Sequence, residues 1–120
     1  MFKVIIAGTR DFADYETLKA YADKKLANIT ETIEMVSGGA RGADALGEQY
    51  ARERGYQIKR FPADWKQYGR AAGPMRNKAM AMYADALLAY WDGESRGTKS
   101  MIELAKEQGL KIGVKIYQRD

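Results

Sequence analysis

Five short apolar runs recur along the 120-residue chain, and a segment with helical spacing of apolar residues separates each run from the next. The runs at 2–8 (FKVIIAG) and 85–91 (DALLAYW) are so apolar that they predict strands buried in a sheet. Strands that alternate with helices are typical of a parallel sheet covered by helices on both faces. The expected strands are 2–8, 32–37, 56–62, 85–91 and 111–117, and the expected helices are 14–28, 42–54, 74–83 and 98–108.

This alternation predicts an α/β protein with a three-layer Rossmann-like fold. We expect a single domain over residues 1–120, with a five-stranded parallel sheet of order 3-2-1-4-5 and helices on both faces. Right-handed crossovers place the loops that follow the strands at one edge of the sheet. Ligands of such proteins bind at that edge, where the strand order changes direction. A polar connection at 62–73 is expected to precede the third helix.

The residue types that are missing exclude several kinds of site. The chain has no cysteine and no histidine, which excludes disulfides, zinc-thiolate sites, histidine-ligated metals and a Ser-His-Asp triad. We therefore expect no metal and no resident cofactor, and acid–base chemistry would depend on Asp, Glu, Lys, Tyr or water. The net charge of +4 is compatible with a nucleotide or nucleic acid but does not require one. The first apolar run is too short for a membrane span, so we expect no membrane partner and a cytoplasmic location.

Four loops at the predicted edge carry glycine, hydroxyl or arginine residues. They read AGTRD (7–11), SGGARGAD (37–44), GPMRNKAM (73–80) and WDGESRGT (91–98). Glycines at helix starts leave backbone N–H groups open to a phosphate, arginine binds anions in a bidentate manner, and Asn or Asp can bind a ribose or base. Ser95 together with the following Gly-Thr pair could form a second phosphate cradle. The residues expected to bind a ligand are Gly8, Thr9, Arg10, Ser37, Gly38, Gly39, Arg41, Gly42, Asp44, Arg76, Asn77, Asp92, Gly97 and Thr98.

Each of these signals also has a purely structural interpretation. The glycines at 38, 39 and 42 could serve only a turn and close helix packing, and Arg10, Arg41 and Arg76 could be ordinary surface cations. Thr98 could act as a helix N-cap, and Asp44 could interact only with a helix dipole. The chain contains neither G-x-G-x-x-G nor G-x-x-x-x-G-K-[ST], which excludes the standard dinucleotide fingerprint and a Walker-type NTPase.

These motifs together resemble the SLOG superfamily of Rossmann-like proteins, and most of all its stand-alone group related to YspA and YpsA. The matching segments are VIIAGTRDF, SGGARGAD, ADW, AGPMRN and ADALLAYWDGESRGT, which together cover nearly the whole chain. GGARGAD followed about thirty residues later by G-x-x-R-N is a fairly specific pair. The resemblance implies a protein that senses or processes a nucleotide-derived ligand.

Two relatives within this superfamily imply different functions. DNA-processing protein A, a single-stranded DNA binder, has a similar SG-x-ARG-x-D loop and a similar Arg-Asn pair, which match 37–44 and 76–77 here. The Lonely-guy phosphoribohydrolases cleave nucleoside monophosphates, and their arginine and Gly-Thr match Arg76 and 97–98. Their Pro-Gly-Gly is replaced here by WDGESR. Ser100 and Met101 stand where their glutamates fall, and Glu103 lies one helical step further on.

The sequence is therefore compatible with three functions. The first is binding of a nucleotide-like or ADP-ribose-like small molecule. The second is phosphoribohydrolase chemistry, with Arg76 as a candidate catalytic residue and with Glu103 or Asp92 in place of the missing glutamate. The third is single-stranded nucleic-acid binding, for which the candidates are Arg10, Arg41, Arg70, Arg76, Lys78 and Trp65. The sequence leaves the oligomeric state open, including a homo-oligomer.

Overall fold

The computed structural model describes residues 1–118 and contains a five-stranded parallel sheet of order β3-β2-β1-β4-β5. The strands are β1 (Phe2–Gly8), β2 (Ile33–Ser37), β3 (Gln57–Arg60), β4 (Ala86–Trp91) and β5 (Lys111–Ile116). The helices are α1 (Tyr15–Leu26), α2 (Ala43–Arg54), α3 (Trp65–Tyr68), α4 (Ala72–Tyr83) and α5 (Arg96–Glu107), and a 3-10 turn spans Gly69–Ala71. The predicted Rossmann-like fold and strand order are confirmed.

The sheet separates two hydrophobic cores, which explains why β1 and β4 are almost entirely apolar. In β1, Val4 and Ile6 belong to the core under α1 and α2, whereas Ile5 and Ala7 belong to the core under α4 and α5. Side chains of a strand alternate between its two faces, so a strand with helices on both faces must be apolar at every position. Because β1 and β4 are buried on both faces, they form the centre of the sheet, and a loop follows each of them.

Side-chain caps fix the starts of α1 and α5, and the starts of α4 and α5 differ from the predicted ones. Asp14 accepts a hydrogen bond from Thr17 N at 3.1 Å and caps α1 as expected. Helix α5 begins at Arg96, because the Ser95 hydroxyl accepts from Thr98 N at 3.4 Å. The N-cap role considered for Thr98 therefore belongs to Ser95. Helix α4 begins at Ala72 rather than Pro74, which moves Arg76 from the first turn of its helix into the second.

The polar connection expected at 62–73 includes two short helical elements that the sequence analysis does not predict. It contains α3 and the 3-10 turn. Asp64 caps α3 by accepting a hydrogen bond from Gln67 N at 3.1 Å. The positive φ of Gly69, 55°, then ends this single helical turn. The connection therefore holds Trp65 in a defined place in front of α4.

The strand order changes direction between β1 and β4, the only adjacent strands of the described sheet that are not consecutive in the chain. The loops that follow β1, β2 and β4 therefore meet at one edge of the sheet, as the sequence predicts. No helix within residues 1–118 has both the length and the apolar character needed to cross a membrane.

Candidate functional site

The loops that follow β1, β2 and β4 enclose a cavity of about 620 Å³, which we call the main cavity. This volume lies within the usual range of small-molecule sites. The first turns of α2 and α5 and the second turn of α4 complete its wall. Ten of the predicted ligand-binding residues line it: Gly8, Thr9, Arg10, Arg41, Asp44, Arg76, Asn77, Asp92, Gly97 and Thr98.

The loop after β1 contributes a buried hydroxyl. Thr9 is only 8% exposed, and its Oγ1 atom forms no hydrogen bond within the described part of the chain. Burial raises the pKa of Tyr117 and the neighbouring Thr9 hydroxyl opposes this rise, while the Tyr117 hydroxyl donates its hydrogen bond to Asp11 at 3.1 Å. A buried hydroxyl without a partner is unusual in a native fold. Since Thr9 lines the main cavity, a bound ligand could supply the missing partner.

Gly8 itself is required for packing. A Cβ atom at this position would lie 2.2 Å from the carbonyl oxygen of Tyr90 and 2.9 Å from the Cβ of Ala43. The chain therefore turns out of β1 with its backbone pressed against β4 and the start of α2. This close approach brings the β1 loop next to the loop that follows β4.

Arg76 joins α4 to the loop after β2. Its Nη1 donates to the carbonyl oxygen of Gly38 at 2.5 Å, and its Nε donates to Oδ1 of Asn77 at 2.8 Å. A Cβ on Gly38 would lie 2.8 Å from both Arg76 Nη1 and Asp44 Oδ2, so a larger residue there would displace one of these two side chains. Burial and the neighbouring Arg10 lower the pKa of Arg76, and Asp44 opposes them. The guanidinium remains cationic and is held in one orientation.

Asp44 is a buried carboxyl group in the wall of the same cavity. It is 7% exposed, and its Oδ2 accepts from Ala40 N at 3.3 Å. Burial raises its pKa from 3.8 to about 6; the Ala40 N–H and Arg76 act against this rise, and Glu48 adds to it. Asp44 can therefore exchange a proton near neutral pH, and in its charged form it accepts hydrogen bonds.

Ser37 stabilises the loop that follows β2 but does not line the main cavity. It is 1% exposed, donates to Glu48 Oε2 at 2.7 Å and accepts from Gly39 N at 3.0 Å. Glu48 in turn receives three hydrogen bonds from the Arg60 guanidinium, which lower the pKa of Glu48. Gly42 is also a packing position, because a Cβ there would lie 2.4 Å from the carbonyl oxygen of Arg10.

The loop after β4 is ordered by its own side chains. Asp92 Oδ1 accepts from Glu94 N at 2.9 Å and Ser95 N at 2.8 Å, and the Trp91 indole N–H donates to the Ser95 carbonyl at 3.0 Å. Asp92 therefore shapes the loop as well as lining the main cavity. Gly97 faces open space, since a Cβ there would have no neighbour within 4 Å.

A second cavity of about 460 Å³ adjoins the first, and we call it the Trp65 cavity. Gly38 and Gly39 line it, together with Trp65, which is 53% exposed. Four residues line both cavities, namely Arg10, Ala40, Arg41 and Arg76. We refer to the three arginines of this shared boundary as the arginine wall.

Glu103, a candidate catalytic residue, is exposed on α5 and lines neither cavity. The main cavity instead includes side chains that the sequence prediction left out, namely Asp11, Met80, Glu94 and Met101. Asp11 and Glu94 lie in the same loops as predicted ligand-binding residues. Their proximity in the sequence to those residues could have indicated that they line the site. Within residues 1–118, no cluster of three or more Asp and Glu side chains is placed to hold a metal ion.

The fold and the position of the cavities define a Rossmann-like protein whose candidate site lies where the strand order reverses. The chain belongs to the YspA, cpYpsA-related SLOG family, whose model matches residues 2–68. It is 32% identical over 118 residues to the Gene 61 protein of Mycobacterium phage D29, covering 93% of this chain and 94% of that protein. The resemblance to the SLOG superfamily is thereby confirmed.

Solved structures show the same fold at low sequence identity. DNA processing protein A from Streptococcus pneumoniae superposes with a TM-score of 0.70 at 19% identity, over 95% of this chain but only half of that one. The structural-genomics target TM1055 superposes with a TM-score of 0.67 at 21% identity, over 93% of this chain and 72% of that one.

Proposed function

We propose that the chain binds a nucleotide or nucleotide derivative in the main cavity and acts as a binding protein rather than a hydrolase. The observation that carries this proposal is the buried Thr9 hydroxyl without a partner in a cavity that three arginines also line. A bound phosphate would accept a hydrogen bond from the Thr9 hydroxyl, and the arginines would stabilise its negative charge.

The arginine wall provides the positive charge. Within the described residues, neither Arg10 nor Arg41 forms an ion pair, and Arg76 is bonded to neutral groups. The start of α5 adds backbone N–H groups at Gly97, and the partial positive charge of a helix N-terminus. These groups favour a dianionic or doubly phosphorylated ligand.

The carboxyl and amide groups of the cavity suit a sugar. Asp11, Asp44, Asp92 and Glu94 all line the main cavity, together with Asn77. Carboxylates accept hydrogen bonds from sugar hydroxyls but repel phosphates, so they favour a ligand that carries hydroxyl groups on this side. A ribose phosphate offers both kinds of group within one molecule.

The phosphoribohydrolase alternative lacks a carboxylate at the positions where the resembling enzymes carry glutamate. Glu103 is exposed outside the cavity, and the buried Met101 lines the wall at one of the positions where the resembling enzymes carry glutamate. Asp92 lines the cavity, but two backbone N–H groups already occupy one of its oxygens. The geometry therefore favours binding over N-glycosidic hydrolysis.

Calorimetry tests the proposal with ADP-ribose, AMP and ribose 5-phosphate as probes. We expect binding by the wild type and a loss of roughly 10-fold or more in the Arg76→Ala variant, since a charge-assisted hydrogen bond is lost. Arg70→Ala is the matched control, because Arg70 is exposed on the 3-10 turn and lines neither cavity. If none of the three probes binds, the proposal fails.

Chromatography of the same AMP mixtures separates the binding protein from the hydrolase. We expect AMP to be recovered intact after prolonged incubation with the wild type. Release of free adenine that disappears in Arg76→Ala would establish the enzyme instead. Binding of an oligothymidylate with a steep salt dependence, tighter than that of any of the three probes, would favour the nucleic-acid alternative.

A further inference from the structure

The Trp65 cavity has a composition different from that of the main cavity. Trp65 is the one aromatic residue among the described residues that line either cavity, and it stands beside Pro62 and Ala63. Its indole is 53% exposed although large aromatic side chains usually lie buried. No carboxylate lines this cavity, whereas four line the main cavity. The two cavities are therefore suited to different parts of a ligand.

The position of Trp65 is fixed by its neighbours. The short helix α3 is capped by Asp64, and the outer edge of the indole packs against Gly73 of α4, where a Cβ would lie 3.2 Å from the ring atom Cη2. Any side chain at residue 73 would push the ring away. An aromatic ring that is fixed in position and exposed to solvent is suited to stack on a nucleobase.

The arginine wall lies between the two cavities, because its three residues line both. Arg60 also lines the Trp65 cavity, but Glu48 neutralises it at 2.6 Å. Among the described cationic residues that line the two cavities, those without an ion pair are therefore the three at the boundary. A ligand that fills both cavities must carry its negative charge in the middle and uncharged groups at its two ends. A mononucleotide carries its phosphate at one end and fills one cavity only.

We infer, building on the proposed function, that the ligand is a nucleoside diphosphate joined to a sugar. Its diphosphate lies on the arginine wall, its terminal sugar binds in the main cavity and its nucleobase stacks on Trp65 in the second cavity. A nucleic-acid strand fits less well, since its next phosphate would enter the main cavity among Asp11, Asp92 and Glu94.

Calorimetry on the full chain tests this assignment with ADP-ribose and ribose 5-phosphate. ADP-ribose spans both cavities, whereas ribose 5-phosphate reaches only the main cavity and the arginine wall. We expect Trp65→Ala to weaken ADP-ribose binding by about 10- to 100-fold, the range of base–aromatic stacking, and to leave ribose 5-phosphate binding unchanged. Trp65→Phe keeps a stacking surface and should stay within about 3-fold of the wild type.

Tyr68→Ala is the matched control, because Tyr68 is an exposed aromatic residue on the same short helix and lines neither cavity. ADP-ribose should also quench tryptophan fluorescence in the wild type and not in Trp65→Phe, since only Trp65 would contact the base. These two results together would support the assignment.

The failure of this inference differs from the failure of the proposed function. If Trp65→Ala binds ADP-ribose like the wild type while Arg76→Ala does not, the base does not stack on Trp65 and the main-cavity site survives. If neither probe binds the wild type, both proposals fall. Tighter binding of an oligothymidylate than of ADP-ribose, sensitive to Trp65→Ala, would overturn the small-molecule assignment.

Discussion

Arg76 Nη1 donates a hydrogen bond to the carbonyl oxygen of Gly38 at 2.5 Å and so connects α4 to the loop after β2, 38 residues earlier in the chain. The same guanidinium donates through Nε to Asn77. One side chain thus fixes the shape of the glycine loop and presents positive charge to both cavities.

Replacing Arg76 by lysine tests this double role. Lysine keeps the charge but lacks the planar fork that reaches Gly38 and Asn77 at once. We expect Arg76→Lys to weaken ADP-ribose binding by about 10-fold while the fold persists, as measured by calorimetry and thermal unfolding. Affinity equal to that of the wild type would show that charge alone suffices.

Gly8 and Gly97 should respond to alanine in opposite ways. A Cβ at Gly8 would lie 2.2 Å from the Tyr90 carbonyl oxygen, so Gly8→Ala should destabilise the fold by about 3 kcal/mol or more. A Cβ at Gly97 meets nothing, and alanine is the better helix former, so Gly97→Ala should keep or slightly raise stability.

Urea unfolding of the two alanine variants checks this contrast. Because Gly97 lines the main cavity, its methyl group should also reduce ribose 5-phosphate binding by several-fold, an effect that calorimetry would detect. Equal stability of the Gly8 and Gly97 variants would contradict the close approach of β1 to β4.

Asp44 should give the protein a characteristic dependence of stability on pH. Burial raises its folded-state pKa from 3.8 to about 6, so the folded chain binds this proton more tightly than the unfolded chain does. The stabilisation by the proton is complete below about pH 4 and is lost as the pH rises through about 6. It amounts to about 3 kcal/mol at most.

Asp44→Asn provides the comparison, since asparagine can accept the hydrogen bond from Ala40 N and does not titrate near neutral pH. The free energy of unfolding of the wild type, relative to the variant, should decrease between about pH 4 and pH 7. Denaturant titrations at four pH values in this range would measure it. A constant difference would mean that Asp44 titrates normally.

Ser37 should matter mainly for stability. Its hydroxyl donates to the buried Glu48 and accepts from Gly39 N. Ser37→Ala should therefore lower the free energy of unfolding by about 1–3 kcal/mol, because it removes the hydrogen bond to the charged Glu48 and the one from Gly39 N. Ser100→Ala, at a half-buried serine of α5 that lines neither cavity, is the control. An unchanged midpoint in urea for Ser37→Ala would contradict the network.

The strand order could be predicted from the sequence because β1 and β4 are apolar at nearly every position, which only a two-sided core requires. Helix α3 was missed because one turn shows no periodicity, although Asp64 followed by Gln67 was a local capping signal. The supporting position of Ser37 could not be predicted, since it depends on Glu48 from the next helix and Arg60 from the next strand. The close contact of Gly42 with the Arg10 carbonyl likewise exists only after the sheet has formed.

The two outermost strands carry a consequence for self-association. β3 has only four residues, with Lys59 and Arg60 exposed, and β5 carries Lys111 and Lys115. A second copy that extended the sheet by pairing with the same strand would bring like charges together in a row of backbone hydrogen bonds. The charged outer strands of the sheet therefore disfavour pairing with the same strand of a second copy.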